Sequence, residues 1–546
     1  MASDVSPALD TVLLDGLIRR SPSDERALEA IGVRDGRVAA RGSTSELRRL
    51  AAPSTRVVDL RGRAVLPAFI DSHTHFHRGA VLRHLHLDFE TLRPRSVEDV
   101  VGQVRRRAAA LATGTWIQGD SLSLGQLAER RLPNRRELDA AAPDHPVVLR
   151  GIGKHVVAAN SAALAAAGIT RDTADPAGGR IERDADGIPT GILHERAKLR
   201  LDQSAADTVV PAASRNERML ALKEGVKELH RLGITTIHEM VRLPEEAGDL
   251  AALHAQGELD VRVRLFYRIN ETVFSLDWLE KLGIRRGLGD DRFRILGVKI
   301  SVDGWCIFRN AAVYEGYLDA PDEGGILRIE PAELCALVRS ANARGLAIAV
   351  HAVGAKAVDL ALDAFEAAGP AIAGPHRMEH AHLDVDRGRL ERIRALGLVL
   401  SAQPGFLRAY RADWDAALPR ARIDRIMPLA VAHSLGIPLI LNSDFPAGPL
   451  GPVAAIHAAE TRDAGEGRFI GRDQAISREV AWSGFTTEPA RRSGDYGLGA
   501  LEVGRRADLV VFDEDPLDAR TDLSRLAIVA TMVDGRFVHG EEEVAV

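Results

Sequence analysis

The sequence predicts an α/β protein: a (β/α)8 barrel of the TIM type with a small β-sandwich formed by the N- and C-terminal segments. Three observations predict it. Eight short apolar runs are spread between residues 65 and 441, with helical patterns between most of them. Many of these runs are nearly continuously apolar, as parallel strands buried on both faces are. Both chain ends read as short strands and turns, and neither carries enough apolar surface to make a large core alone. A chain of 546 residues, 46% hydrophobic and 27% charged, buries a substantial core without staples.

In chain order, Thr11–Leu14, Leu28–Val33, Arg37–Ala40 and Thr55–Leu60 are strand-like. Asp35-Gly36 marks a turn, and Gly62 follows the last of them. The barrel runs are Val65–Ile70, Ile234–Ile237, Val261–Tyr267, Ile295–Ile300, Ala347–Val350, Arg377–His380, Leu398–Ala402 and Pro438–Leu441. Helices are expected over Arg215–Leu232, Pro331–Arg344 and Ala355–Ala368. Residues from about 88 to 207 are too many for one loop and are read as an insertion with its own structure. Ala507–Phe512 (ADLVVF) and Ile528–Val538 (IVATMVDGRFV, with an Asp-Gly turn) are the C-terminal strands. The expected division is 1–65 and 501–546 for the sandwich, and 66–500 for the barrel with its insertion.

Composition excludes several classes of function. Acids number 77 and bases 71, a formal charge of −6, so nucleic acid and anionic membrane surfaces are not expected as main partners. Cys306 and Cys335 are the two cysteines, too few for a disulfide framework or a four-thiolate zinc site. The opening MASDVSPALDTVLLDGLIRR has no basic leader followed by a long apolar stretch, and no run is long enough to span a membrane. The expected location is cytoplasmic. A Gly-x-Ser-x-Gly elbow is absent, and GIGKH at Gly151–His155 lacks the spacing of a phosphate loop. Seven of the 71 basic residues are lysine. A lysine in a buried apolar run therefore requires a specific explanation.

The most informative stretch is LPAFIDSHTHFH, Leu66–His77. His73 and His75 are two apart at the end of an apolar strand, so both side chains project from one face. At the C-terminal end of a barrel strand that face looks into the mouth, where two imidazoles suit a divalent metal such as zinc. Further candidates end other strands: Lys299 in ILGVKISVDG, His351 in LAIAVHAVG, His380 in HRMEH and Asp444 in PLILNSDFP. Each alone has an ordinary reading as a core histidine, a capped turn or, for Lys299, an ion pair with Asp303 or another acid. His382, two residues beyond His380, is the rival to His380 as a ligand. Trp305, Phe308 and Arg309 follow strand four directly and are placed to line a pocket. They suit a substrate with an apolar or aromatic part, and Arg309 suits a carboxylate. His155 and Asn160, in the insertion, are candidates for substrate binding, with helix capping the equal alternative for Asn160.

With these residues in order, the chain resembles the amidohydrolase superfamily of metal-dependent hydrolases, in the branch that includes N-substituted formamide deformylase. The resemblance covers nearly the whole chain. It runs through LPAFIDSHTH, LPNRRELDAAAPDHPVVL, HVVAANSAAL, GGRIERDADGIPTGILHE and GITTIHE, then VKISVDG, HAVGAKAVDLAL, RMEHAHL, NSDFP and GRRADLVVFDEDP. Departures are Ala68 where the family usually has glycine, Ala355 and Glu239 where it usually has aspartate, and WCIFRN after Asp303-Gly304 in place of a small polar stretch.

The resemblance implies a barrel plus a sandwich assembled from both ends. It also implies that His73, His75 and Asp444 hold one metal and that His351 and His380 hold a second. Lys299 would bridge the two as a carbamate. A one-metal site of His73, His75, His351 and Asp444 stays open, as does His380 acting on the oxyanion. Zinc is the expected ion. The implied chemistry is hydrolysis of a non-peptide C–N bond, in an N-substituted amide, formamide or cyclic imide, by a metal-activated hydroxide with Asp444 as general base and then acid. The alternatives are a heterocycle deaminase, an ester or lactone hydrolase, and a metal-free binding or assembly protein on the same scaffold. The partner is a small-molecule substrate, and a homodimer is the base-rate expectation.

Overall fold

The computed structural model describes residues 8–24, 26–123, 127–151, 156–176, 179–201, 207–270, 273–306, 309–322 and 324–544. The chain forms two compact units, one of residues 1–77 with 226–546 and one of residues 78–225.

The first unit contains the barrel. Its strands are β1 (Phe69–Thr74), β2 (Ile234–Val241), β3 (Arg262–Arg268), β4 (Phe293–Ser301), β5 (Ala347–Gly354), β6 (Arg377–Leu383), β7 (Val399–Ala402) and β8 (Leu439–Leu441). They pair in sequence order, all parallel. Closure falls just beyond β8. The Asp444 amide donates to the His73 carbonyl at 2.9 Å, and the His75 amide donates to the Phe445 carbonyl at 2.7 Å. Ser443 adds its amide (3.0 Å) and hydroxyl (2.5 Å) to the Asp71 carboxylate. The seam of the barrel is thus made by the residues that flank the candidate site.

The interior is not filled by branched aliphatic layers alone. Met240, Phe266, Leu296, Ala347 and Ala349 form a thin apolar layer. Buried charged groups accompany it. Arg377 donates to the Ser72 carbonyl at 2.9 Å and meets His238 Nδ1 at 2.9 Å, while Arg264 grips the Asp495 carboxylate at 2.9 and 3.0 Å. Helices such as Pro331–Ala343 and Ala355–Ala368 cover the outside. Proline opens the former, and the latter turns Ala357, Val358, Ala361, Leu362 and Phe365 inward.

The run Val65–Ile70 is not one strand. Ala64–Pro67 pairs antiparallel with Leu509–Phe512 in the sandwich, and β1 begins at Phe69. The chain passes from one sheet to the other at Ala68, whose amide bonds the Asp508 carbonyl, while the Phe69 amide bonds Gly233. Both pieces are buried on both faces, so hydrophobicity alone does not mark the crossing.

Two sheets form the sandwich. One is N-terminal, ordered Arg37–Gly42, Ala30–Arg34, Thr11–Leu14, Arg56–Asp59. The other is ordered Leu17–Ile18, Ala64–Pro67, Leu509–Phe512, Ile528–Val533, Arg536–His539. Leu13, Val33, Val65, Leu509, Val511 and Met532 share one core between them. Each end of the chain supplies a face that the other covers.

The unit of residues 78–225 has a six-stranded sheet ordered Gly179–Arg183, Pro189–Glu195, Val156–Ala159, Val147–Gly151, Ile117–Leu122, Leu87–Asp88. Among the described residues no helix is long and apolar enough to cross a membrane.

Candidate metal centre

His73 lies near the end of β1 and His75 directly follows it, and each ring has its Nδ1 held by the protein. Glu379 Oε2, on β6, lies 2.7 Å from His73 Nδ1. The Met240 carbonyl, on β2, lies 3.1 Å from His75 Nδ1. A carboxylate or carbonyl there accepts N–H, so the lone pair is left on Nε2. Both Nε2 atoms face the same Asp444 Oδ1, at 3.5 and 3.6 Å. One ligand atom from each of His73, His75 and Asp444 lies within 4.8 Å of the others. Two neutral imidazole nitrogens and a carboxylate oxygen are a donor set that suits zinc and similar divalent ions.

Lys299 projects from β4 beside them. Its side chain is buried, and Nζ lies 3.3 Å from His73 Nε2. Among the described residues no carboxylate oxygen is within 4 Å of Nζ, so the ion-pair reading with Asp303 is not what the structure contains. Burial lowers the Lys299 pKa to about 8, against the raising influence of Glu379 and Asp444.

His351, at the end of β5, is oriented the other way round. Its Nε2 lies 3.2 Å from the Gly304 carbonyl and 3.5 Å from Asp303 Oδ1, which leaves Nδ1 as the donor. His380 Nδ1 bonds Gln403 Oε1 at 2.9 Å, leaving Nε2. The His351 and His380 ring centres are 4.4 Å apart, and His380 is 5.3 Å from His73. Burial holds both His351 and His380 well below the usual imidazole range, in the neutral form that ligates. His382 sits elsewhere. Its ring packs edge-on against Trp305 at 5.5 Å and Phe406 at 5.7 Å.

Backbone geometry singles out the same places. His380 (φ 73°), Ala381 (φ 49°) and Asp444 (φ 53°) occupy the left-handed region, which is uncommon outside glycine and concentrates at functional sites.

Sequence reasoning missed several supporting groups. Glu379 is fully buried. Burial opposes its charge, but His73, Lys299 and Arg377 together outweigh that and hold the carboxyl at about 2. Glu239 accepts the Phe76 amide (2.6 Å), the His77 amide (3.1 Å) and the Thr74 hydroxyl (3.1 Å), which fixes the turn carrying His75. Asp303 accepts the amides of Ala312, Val353 and Gly354 at 2.8–3.0 Å and so ties the loop after β4 to the end of β5. Its place in VKISVDG was a signal; Gln403 carried none. Glu379→Gln is expected to weaken metal affinity about 10- to 100-fold. Competition with a chromogenic chelator measures it, and unchanged affinity would show that His73 needs no such partner.

The second-tier residues fall differently. Trp305 lies against the site, 6.2 Å from His380 and 5.0 Å from Phe406, ring centre to ring centre. Arg309 holds the Asp319 carboxylate with two hydrogen bonds, at 2.7 and 2.6 Å, so the carboxylate it meets is the chain's own. In the unit of residues 78–225, Asn160 Oδ1 caps the helix Ser161–Ala166 and accepts the Val147 amide, while its Nδ2 donates to the His145 carbonyl. Capping is the role its geometry fills. His155 and Phe308 lie outside the described residues.

Fold and site together define a (β/α)8 barrel with a His-His-Asp cluster whose ligand atoms are close enough to hold a metal ion, at the C-terminal ends of its strands. The chain belongs to the Amidohydrolase family, whose profile matches residues 56–539. It is a hydrolase of that family. It is 28% identical to the N-substituted formamide deformylase of Arthrobacter pascens over 538 residues, 96% of this chain and 97% of that protein. It is 30% identical over 533 residues to YtcJ of Bacillus subtilis (strain 168), which carries a provisional amidohydrolase name, covering 94% of this chain and 96% of that one. Among solved structures, it is similar to an uncharacterized metal-dependent hydrolase from Pyrococcus horikoshii, with 27% identity and a TM-score of 0.75, covering 94% of this chain and 99% of the other.

Proposed function

We propose that the protein hydrolyses a non-peptide C–N bond, in an N-substituted amide, formamide or cyclic imide, at a divalent-metal site. The observation that carries this reading is the convergence of His73, His75 and Asp444 within 4.8 Å beside a buried lysine. The name of the Arthrobacter relative supports the bond type. His73, His75 and Asp444 would hold one zinc ion, and His351 and His380 a second, with Lys299 bridging as a carbamate. When bound, such a metal acidifies a water molecule and polarises the scissile carbonyl.

The chain's own groups do the rest. Asp444 is fixed by the hydrogen bond that its backbone amide donates to the His73 carbonyl, and it presents one carboxylate oxygen to both histidines. It takes the proton of the attacking water and returns it to the leaving nitrogen. Glu379 and the Met240 carbonyl keep His73 and His75 in the tautomer that ligates. Trp305, with Phe406 and Tyr410 stacked edge-on behind it, gives an apolar wall for the substituent on the amide.

The test is metal analysis coupled to assay. Protein purified without added metal is expected to carry roughly one to two equivalents of a transition metal. It is expected to cleave at least one member of a panel of N-substituted formamides, amides and cyclic imides. Dialysis against a strong chelator is expected to abolish that activity, and zinc to restore it. Protein that holds no metal and keeps its activity after chelation sinks the reading.

A further inference from the structure

His380 reaches the centre from an irregular piece of backbone. It sits at φ 73° with Ala381 at φ 49°, so the regular projection of β6 does not aim its ring. Its Nδ1 is held by Gln403 Oε1 at 2.9 Å, and Gln403, directly after β7, is held in turn. Gln403 Nε2 donates to Asn442 Oδ1 at 2.8 Å and, over a long 3.5 Å, to the Ser401 carbonyl. Asn442, directly after β8, passes the chain on: its Nδ2 donates to Ser401 Oγ at 2.9 Å. His380, Gln403, Asn442 and Ser401 are all buried.

Such a relay has a direction. As it stands every bond runs from the ring towards Ser401, and His380 gives its Nδ1 proton to Gln403. In the reverse direction the Ser401 hydroxyl donates to Asn442, Asn442 donates to Gln403, and Gln403 Nε2 donates to His380 Nδ1. An imidazole that accepts at Nδ1 carries its proton on Nε2 and has no lone pair there for a metal. The two directions differ by half a turn of each amide, with almost no change of shape. Two acceptors hold Gln403 in the ligating direction. The Ser401 carbonyl can only accept, so a reversed Gln403 sets oxygen against oxygen there. Asn442 Oδ1 makes the shorter bond and is the stronger restraint.

We propose that Asn442 is a positioning residue that acts through Gln403: by accepting from Gln403 Nε2 it keeps the His380 proton on Nδ1 and the Nε2 lone pair turned to the second metal. It thereby ties β6, which carries His380, to the chain after β8, which carries Asp444. The proposal rests on the reading of His380 as a ligand; the direction of the relay does not.

The experiment compares wild type, Asn442→Leu, Gln403→Glu and the double variant, by chelator competition for the first and second zinc equivalents. Asn442→Leu is expected to weaken the second ion about tenfold or more and the first by less than about threefold. Gln403→Glu offers His380 a group without N–H, as Glu379 does for His73, and is expected to bind the second ion at least as tightly as wild type. In that background Asn442→Leu is expected to cost less than about threefold, because a carboxylate cannot present the wrong atom. An undisturbed second ion in Asn442→Leu, or the same loss in both backgrounds, overturns the proposal and leaves Asn442 a packing residue. Nitrogen-15 spectra of the metal-free protein, with His380 assigned by its loss in His380→Gln, separate the two readings. If wild type takes up no second ion, the ligand reading falls and the tautomer decides. A proton on Nδ1 in wild type that passes partly to Nε2 in Asn442→Leu upholds the relay, and the same tautomer in both proteins overturns it.

Discussion

On the proposed two-metal reading, Lys299→Ala is expected to lose the second metal and at least about three orders of magnitude in kcat/KM, because it removes the group that would join the two ions. The physical case begins with position. Lys299 lies on β4, three strands round the barrel from β1, which carries His73, and one and two strands from His351 on β5 and His380 on β6. Its amine is buried and 3.3 Å from His73 Nε2. A lysine in such a place normally brings a carboxylate with it, since a buried ammonium without a close counter-charge is costly. Here burial favours the neutral amine, which is the form that adds carbon dioxide. Scarcity points the same way, since seven lysines stand among 71 basic residues. Lys299→Arg separates charge from chemistry, because it keeps a cation that forms no stable carbamate. It is expected to fail as completely as alanine. Metal content per chain is the primary readout, and short-chain carboxylates are expected to restore part of the activity of Lys299→Ala. Two metals retained in Lys299→Ala, with activity near wild type, would falsify the bridging role.

The ligand candidates were legible in the sequence because they obey strand arithmetic. His73 and His75 are two apart at a strand end, and Lys299, His351 and Asp444 each close an apolar run. β6 is where that arithmetic breaks. Arg377 and Glu379 share the inward face, so simple alternation turns both His380 and His382 outward. The positive φ values at His380 and Ala381 interrupt the alternation. His380 thereby joins His351 and His73, and His382 goes to the aromatic cluster around Trp305. No hydrophobic pattern encodes a two-residue left-handed kink. The same limit hid Glu379, which touches a histidine 306 positions away. It also hid the partner of Arg309, because Asp319 reaches it only through the path of the loop. The passage from sandwich to barrel at Ala68 escaped for the opposite reason: both sides of it are equally apolar.

Asp444→Asn is expected to lower kcat by about 10²–10⁴-fold, the usual worth of a positioned acid–base group, while the fold stays intact. The choice of asparagine matters. Asp444 sits at φ 53°, a conformation that asparagine adopts as readily as aspartate and alanine does not. Its amide anchors the barrel seam through His73, and that bond is independent of the side chain. Asparagine therefore keeps the backbone, the volume and one oxygen toward His73 and His75, and removes the negative charge together with the capacity to carry a proton, so metal content has to be matched in the comparison. Asp444→Ala adds backbone strain, so its loss mixes stability with chemistry. If Asp444 moves the proton to the leaving nitrogen, the defect of Asp444→Asn depends on the substrate. Amides whose departing amine is weakly basic need less protonation, and they are expected to suffer less than amides of alkylamines. The measurement is kcat across a leaving-group series at matched metal content. A defect of constant size along the series removes the general-acid role and leaves Asp444 as a ligand alone. A defect that grows with leaving-group basicity assigns the proton to this one carboxylate, since Glu379 is committed to His73 and Asp303 to backbone amides.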